Sequence, residues 1–533
     1  MRSFLWSLLT ALCALHVAHA HLLPRLLAET GPKPQDDPFY VAPSEKQLAE
    51  MKPGHIIRAR PVKTVADASV TSSAYQLLYR TYDHAGRPTA AVTTTLVPRV
   101  KDAAGVAGAK LPVRLVAYES FTDSVALNCA GSYALTAGPS SPNFTPTFVG
   151  LGVINAFLAY GYTVTVPDFQ GLNSEFIVGR TQARATLDGI RATLRHKPTI
   201  ADPKGAKVGY IGYSGGASAA GWTAELAPEY APEVDFVAAT YGGLPVSPVS
   251  VLRHIDGTEN AGLSLMGLLG LGNAYPEVEE YIFARANKKG KAAIKRLRGG
   301  SACLDAVKDY ANTSLSDYFD NFSLDDELVQ RINRENTLGA NTPKVPLYIY
   351  QSTADEIIVA SDVDKYVSSQ CARGARILYS RVKGKKHNEL LITGFPAAVD
   401  WLDKALTGSV TLPKPGECVI KQSASAPMPL STPKAKPSGQ RKGKESGQRK
   451  VKGSNQRKGK GSGHRKVKGS EHRKPKGSGK RKGKGSGKRD SEGDSGVKTA
   501  VDAYFAPLKD VPFNDLPDMA RKNSEQGKRL AHT

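Results

Sequence analysis

A serine enclosed by glycines constrains the fold more than any other feature of this sequence. Residues 212–216 read GYSGG, a G-x-S-x-G pattern that follows the β-rich run KVGYIGY and precedes an Ala-rich, helix-like stretch. Such a serine occupies a strained strand-to-helix turn that tolerates almost no neighbouring side chains. We therefore expect Ser214 to be a nucleophile, with the helix after it ending near Pro228 or Pro232. The alternative is an ordinary Gly-rich turn, since the chain contains 51 Gly.

Short apolar runs recur on both sides of this turn. They read AYQLLYRTY, AAVTTTLVP, PVRLVAYESF, TVTVPDF, KVGYIGY, VDFVAATYGG, VPLYIYQST and ARILYSRV. Helix-like stretches such as FVGLGVINAFLAYG and TQARATLDGIRATLRH separate several of them. This alternation predicts one α/β body between about residues 35 and 415, with a mostly parallel central sheet covered by helices and early antiparallel strands at one edge.

A serine hydroxyl needs a base and an acid that orients the base, and in this architecture the chain order is serine, acid, histidine. Between Ser214 and the basic tail the only histidines are His254 and His387. His254 follows the nucleophile helix too closely, so His387, on a loop after the ARILYSRV strand, is the predicted base.

The predicted acid is Asp355, which follows the strand VPLYIYQST and precedes His387 by 32 residues. Glu356 is its near rival, and a loop-capping role is the alternative for Asp355 itself. Asp362 and Asp364 are weaker candidates because they lie at the start of a predicted helix, where Asp is commonly a cap.

A serine nucleophile that forms a tetrahedral intermediate also needs two N–H donors for the oxyanion. The backbone N–H of Gly215 is the expected first donor, and the loop after an early strand should provide the second. That loop reads ESFTDSVALNCAGSYAL, and Asp123 is the candidate within it.

These motifs together resemble those of the fungal secretory lipases of the lipase-A type, a subgroup of the α/β-hydrolases. The matching stretches are DPFY, KPGHIIRARPV, YQLLYRT, TDS…NCAGSYAL, VPDFQGLNSEFIVGRTQARATLDGIRA, GYSGGASAAGWTAELAPEYAPEV, TADEIIV and HNELL, in family order between about residues 35 and 415. The resemblance implies an α/β-hydrolase fold, a triad of Ser214, Asp355 and His387, and an oxyanion loop at Asp123 and Gly215.

The resemblance also implies a helical cap inserted at about residues 243–344, before the strand of the acid. An apolar stripe there has two readings, packing against the main domain or forming the wall of an acyl-binding tunnel. One departure is the sequence KKHNE around the base, where Lys385 and Lys386 are expected to lower the pKa of His387.

The first 20 residues predict a secretory signal peptide, since one Arg, an apolar run and Ala18-His19-Ala20 follow one another. Removal of the signal peptide also removes Cys13. The mature chain keeps four cysteines, and these can form disulfides in three pairings because the secretory pathway is oxidising. We favour Cys129 with Cys303, which would restrain a long excursion, and Cys371 with Cys418, which would clip the exit of the chain from the core.

The sequons at Asn143, Asn312 and Asn321 are candidate glycan sites in an exported protein. No C-x-x-C or histidine cluster suggests a metal, and no cofactor is expected.

Seven basic octets occupy residues 438–493, within a Lys/Arg/Gly/Ser-rich tail that extends over 421–495. The octets contain 21 Lys and Arg against 4 Asp and Glu, so they carry +17 of the chain's net +23 and leave about +6 elsewhere. They lack aromatic residues, which predicts disorder and argues against specific nucleic-acid recognition. Adhesion to a polyanion, an acidic glycan or anionic lipid, is one reading, and a solvating spacer is the other.

The end of the chain is less informative. Lys488-Arg489 is a possible processing site, and residues 496–533 receive no role.

The expected protein is a secreted serine lipase, extracellular or attached to the cell wall, that cleaves triacylglycerols and other long-chain esters at a lipid–water interface. The alternatives are an acyltransferase or a peptidase on the same scaffold, or a catalytically idle wall- or matrix-binding protein that uses the basic tail.

Overall fold

The computed structural model describes residues 31–99, 113–423 and 504–505. The strands are β1 Ile56–Pro61, β2 Thr71–Tyr82, β3 Pro88–Pro98, β4 Arg114–Glu119, β5 Thr163–Pro167, β6 Lys207–Tyr213, β7 Phe236–Gly242, β8 Leu347–Ser352, β9 Ile377–Val382 and β10 Cys418–Ser423. The α-helices are α1 Glu45–Ala49, α2 Gly131–Ala137, α3 Phe144–Ala159, α4 Gly179–Arg195, α5 Gly215–Tyr230, α6 Pro248–Ile255, α7 Gly262–Ala274, α8 Pro276–Arg285, α9 Lys288–Arg298, α10 Glu327–Glu335, α11 Ala360–Ala372 and α12 His387–Thr407. Short 3-10 turns cover Pro34–Asp36, Pro38–Tyr40, Leu127–Cys129, Gly138–Ser140, Leu304–Tyr310 and Leu315–Asp317.

The ten strands form one sheet in the order β1-β2-β3-β5-β4-β6-β7-β8-β9-β10. The pairs β1/β2, β2/β3 and β3/β5 are antiparallel, and every pair from β5 to β10 is parallel. This confirms the prediction of a mostly parallel sheet with early antiparallel strands at one edge.

Each face of the sheet packs into its own core because successive side chains of a strand point to opposite faces. In β8, Tyr348 and Tyr350 pack with apolar residues of α3 and α12. Leu347 and Ile349 pack on the other face with residues of α4, α5 and α11. Burial on both faces explains why the central strands are continuous apolar runs.

Five α-helices, α6 to α10, lie between β7 and β8, within the predicted insertion at residues 243–344. Apolar residues of α7 to α10 form a separate cluster that also includes Val125, Phe176 and Val178 of the main body, whereas Ile255 of α6 packs into the main-body core. The disulfide Cys129–Cys303 joins this insert to the chain that follows β4. The second disulfide, Cys371–Cys418, joins α11 to β10. This is the pairing that the sequence analysis favours.

The sheet continues beyond residue 415, the predicted end of the body. Residues 418–423 of β10 pair in parallel with 377–382 of β9, so residues 421–423 belong to the sheet and not to the predicted tail. The predicted signal peptide, the remainder of the tail and most of 496–533 lie outside the described residues.

The folded structure disfavours one of the three glycan candidates. Asn143 is only 2% exposed, and its Nδ2 donates hydrogen bonds to the carbonyl oxygens of Thr122 and Cys129, at 3.0 and 2.9 Å. A sugar would replace one of the two hydrogens on this nitrogen, so at least one of these bonds would be lost, and the buried side chain leaves no room for it. Asn312 and Asn321 are exposed and adopt left-handed backbone conformations, which suits surface turns.

Among residues 31–99, 113–423 and 504–505, no helix is both long and apolar enough to cross a membrane. The same part of the chain contains no group of three or more His, Cys, Asp or Glu side chains placed to hold a metal ion.

Candidate active site

Ser214 lies on a sharp turn between β6 and α5 and has a φ of 56°. Strand and helix approach so closely that a Cβ atom at Gly212 would lie 2.2 Å from the carbonyl oxygen of Gly216, and a Cβ at Gly216 would lie 2.0 Å from that of Glu119. The glycines of the motif are therefore a steric requirement of the turn. The helix α5 ends at Tyr230, between the two prolines expected to mark its end.

His387 faces Ser214 from the other side of the site. Its Nε2 lies 2.9 Å from the Oγ of Ser214. The sequence places His387 on a loop, whereas the structure makes it the first residue of α12. Its carbonyl oxygen accepts a hydrogen bond of 2.7 Å from the hydroxyl of Tyr213, so the residue beside the serine also fixes the backbone of the histidine.

Asp355 contacts the opposite nitrogen of the same ring. His387 Nδ1 lies 2.9 and 3.0 Å from the two oxygens of Asp355. The backbone N–H groups of Ile357 and Ile358 donate to Oδ1 at 3.0 and 2.8 Å and hold the carboxylate in place. The rival Glu356 accepts a hydrogen bond from the backbone N–H of His387 at 2.9 Å and does not contact the ring through a hydrogen bond.

The remaining candidates lie elsewhere. His254 is exposed on α6. Asp362 accepts a hydrogen bond from Ser250, and Asp364 accepts from Tyr379 and Arg381. The structure thus brings Ser214, His387 and Asp355 together and leaves these three candidates out.

The electrostatics of His387 differ from the sequence expectation. Burial opposes the charged imidazolium, but the carboxylates of Asp355, Glu356 and Asp123 outweigh burial and raise the pKa of His387. The expected lowering by Lys385 and Lys386 is wrong, because these ammonium groups face other carboxylates. Lys385 pairs with Glu389, and Lys386 lies 4.0 Å from Glu259.

Asp123 lies directly against Gly215. A Cβ atom added to Gly215 would be 1.8 Å from Asp123 Oδ1, which is buried and has no hydrogen-bond partner. Asp123 has a left-handed φ of 42°, a strained value for a residue with a side chain. Burial raises the pKa of its carboxyl to about 7, against a lowering influence from His387. Gly215 opens α5, so its N–H has no partner within the helix.

A pocket with about 600 Å³ of empty space, part of it open solvent, extends from Ser214, Gly215 and Asp123. Its apolar lining comes from the loop before α4, from the chain between β7 and α6, from α6, from α7 and from the chain after Asp355. These residues are Phe176, Ile177, Pro245, Pro248, Val251, Leu252, Ile255, Leu263, Ile357 and Ile358. Other apolar residues of α7 pack into the core of the insert. The apolar residues of the insert therefore serve both purposes, since some fill its core and others line the pocket.

Gln351 is a site residue that the sequence analysis misses. Its side chain is fully buried at the end of β8, where Nε2 donates to Asp355 Oδ2 at 2.9 Å. Its Oε1 accepts from the backbone N–H of Leu244 at 3.2 Å. A single Gln inside a strand matches no motif; the available signal is its position, four residues before the predicted acid.

Comparisons with known proteins identify the family of the chain. The sequence model of the secretory lipase family matches residues 144–413. Lipase A of Moesziomyces aphidis is 33% identical over 393 residues, which cover 72% of this chain and 82% of that protein. A secreted triacylglycerol lipase of Malassezia globosa is 34% identical over 398 residues, which cover 71% and 81%.

A solved structure of similar architecture is that of Candida antarctica lipase A in its closed state. It superposes with a TM-score of 0.69 at 31% identity and covers 76% of this chain and 93% of that one. The comparisons favour ester hydrolysis over the peptidase, acyltransferase and idle-protein alternatives. The family description and the two disulfides agree with an extracellular protein.

We predict that Gln351→Met slows the reaction of Ser214 with a fluorophosphonate probe by about 10- to 100-fold. This range corresponds to the loss of one hydrogen bond to a charged group, about 1.5–3 kcal/mol. Without that donor, Asp355 becomes more basic and raises the pKa of His387 further, so the acidic limb of the labelling rate should move to higher pH. Labelling reactions quenched at successive times, from pH 4 to 8, measure both the rate and its pH dependence.

The matched control is Gln370→Met, a glutamine that is equally buried but bonds to Glu225 and to the backbone of Asn341. It should lower stability without moving the pH profile. An unchanged profile in Gln351→Met would contradict a positioning role for Gln351.

Proposed function

Because the chain belongs to the secretory lipase family, we propose that it hydrolyses triacylglycerols and other long-chain esters through an acyl-enzyme on Ser214. The observation that carries this proposal is the distance of 2.9 Å between Ser214 Oγ and His387 Nε2, with Asp355 on the other ring nitrogen. The apolar pocket that opens at this serine supports a long acyl chain as the group that is transferred.

In the proposed first half of the reaction, Ser214 Oγ attacks the ester carbonyl while His387 Nε2 takes the hydroxyl proton. Asp355 stabilises the imidazolium and keeps Nδ1 protonated. The proton then passes to the leaving alcohol as the ester C–O bond breaks. Water attacks the resulting acyl-enzyme by the same route, His387 returns the proton to Ser214, and the fatty acid leaves.

Gly215 and Asp123 are the proposed stabilisers of the negative oxygen in the tetrahedral intermediate. The backbone N–H of Gly215 is one donor. Asp123 supports the intermediate in its protonated form, because a neutral carboxyl can donate a hydrogen bond, whereas a carboxylate would repel the oxyanion. The raised pKa of Asp123 keeps that form populated below about pH 7.

The acyl chain is proposed to lie along α6 and α7 of the insert, which would act as a cap over the main body. Val251, Leu252, Ile255 and Leu263 supply apolar contacts there. Each methylene moved from water into such a pocket is worth about 0.8 kcal/mol, so long chains gain the most.

We predict that the wild-type protein hydrolyses p-nitrophenyl palmitate with a higher kcat/KM than the butyrate ester and does not cleave a peptide anilide. Ser214→Ala should lower ester hydrolysis at least about 1,000-fold, as loss of an attacking serine does elsewhere. Release of p-nitrophenol measures both results. Ser380→Ala, in β9 and outside the pocket lining, is the control and should retain activity within a few-fold. Unchanged turnover in Ser214→Ala would overturn the proposal.

We predict that ester hydrolysis declines as the pH rises through about 7, because Asp123 then ionises beside the oxyanion position. The sign follows from its raised pKa, which keeps the group neutral below that pH and charged above it. Asp123→Asn, which cannot ionise, should remove the alkaline decline and keep the acidic limb set by His387. Initial rates from pH 5 to 9 test this. An Asn variant that keeps the wild-type alkaline limb would exclude Asp123 as its cause.

The basic octets suggest a finer localisation. We propose that their +17 charge binds acidic glycans or anionic lipids and so retains the enzyme at a wall or membrane surface. The remainder of the chain carries only about +6, which makes the octets the main cationic segment.

We predict that replacing every Lys and Arg of residues 438–493 by Gln abolishes retention on heparin at about 0.15 M salt, because screened charge attraction is the proposed force. The change keeps the length of the segment, and ester hydrolysis reports that the body is intact. If the neutralised variant elutes from heparin at the same salt concentration as the wild-type protein, the adhesion proposal is wrong.

A further inference from the structure

Two residues from the far end of the chain pack into the body, Phe505 within its core and the partly buried Tyr504 against that core. The side chain of Phe505 is fully buried and belongs to the apolar cluster formed with α3 and α12. Its ring centroid lies 6.0 Å from that of Phe395 in α12. A Cβ atom at Gly152 of α3 would lie 2.8 Å from the Phe505 ring, so the absence of a side chain at 152 makes the space that the ring fills.

The neighbouring residue fixes the position with a polar contact. The hydroxyl of Tyr504 donates a hydrogen bond of 2.9 Å to Asp67 Oδ2. Asp67 is itself held on the loop between β1 and β2, because its backbone N–H donates to Asn155 of α3 and its Oδ1 accepts from the N–H of Ser69. The space above Gly152 therefore holds the ring of Phe505, and the carboxylate of Asp67 binds the hydroxyl of the neighbouring Tyr504.

We propose that Asp67, Gly152 and Phe395 form a binding site for the C-terminal segment of this same chain, with Tyr504 and Phe505 as its anchor. The role of residues 496–533 is then to attach the end of the chain to the body. The basic octets become a loop between two attached points and are no longer a free tail. The 80 residues from 424 to 503 then connect two points that are both attached to the body, β10 and the anchor. A cut within the octets, for example after Lys488-Arg489, leaves the C-terminal piece bound without a peptide bond.

The chain's own segment is the favoured occupant over a second copy. A connection of 80 residues reaches roughly 260–290 Å when extended, so it can join any two points on a body of this size. Attachment to the same chain also gives the anchor a high effective concentration at its site. This inference does not depend on the lipase activity, which serves below only as a check of folding.

The test uses the full chain with residues 486–493 replaced by the recognition sequence of a site-specific protease. After cleavage, size-exclusion chromatography and mass spectrometry measure how much of the fragment after 493 elutes with the body. We predict co-elution near one fragment per body. Phe505→Ala should reduce the retained fraction at least tenfold, and Tyr504→Phe should reduce it several-fold because only the hydrogen bond is lost.

A body-side variant keeps the test decisive if Phe505→Ala folds poorly. Gly152→Ala places a methyl group against the Phe505 ring and should also release the fragment. The control variant is Gly189→Ala, at another buried helical glycine. The added Cβ would lie 3.0 Å from the hydroxyl of Tyr79, which belongs to a different apolar cluster from Phe505. Gly189→Ala should retain the fragment.

Three results overturn the proposal. The first is separation of the fragment from the wild-type body after cleavage. The second is equal retention in Phe505→Ala and Gly152→Ala when both hydrolyse esters. The third is a protein that elutes as a dimer before cleavage and, after differently tagged copies are mixed and cut, carries the fragment of the other copy, which assigns the site to a second copy.

Discussion

The contact between His387 and Asp355 is the interaction on which the site depends. Both side chains are buried, and burial alone would oppose the charge on each of them. The cost is offset because the Asp355 carboxylate accepts from the imidazole, from two backbone N–H groups and from Gln351. A carboxylate held from so many directions cannot rotate freely. The ring is thereby aimed at Ser214 by the fold itself, before any substrate arrives.

The central strands could be predicted because a parallel sheet covered on both faces requires continuous apolar runs. KVGYIGY and VPLYIYQST correspond to β6 and to β8 with its flanks. The edge strands could not be predicted in the same way. β1 reads IIRARP and β10 reads CVIKQS. Within the described part of the chain each pairs with a single neighbouring strand, so polar residues and a proline are tolerated there.

The three contacting residues of the site were accessible from chain order, since a serine turn, a strand-end carboxylate and a later histidine follow a rule of the architecture. Gln351 was not, because a glutamine is a common residue whose partner is visible only once β8 is placed beside the chain around Leu244. The anchor at Phe505 was missed for a related reason. Nothing in local sequence shows that an aromatic residue far along the chain fills the space above a glycine in α3.

The buried amide of Asn143 has a consequence for how the protein is made. Its nitrogen donates to the carbonyl oxygens of Thr122, next to Asp123, and of the disulfide residue Cys129, and its oxygen accepts from the N–H of Leu304 beside the partner cysteine. Oligosaccharide transfer acts on nascent chains, before such a nitrogen is shielded. Glycosylation of this sequon would therefore weaken the junction between the body and the insert, because Nδ2 would lose at least one of its hydrogen bonds. The yield of correctly folded protein then depends on whether the side chain of Asn143 is buried before the transferase modifies it.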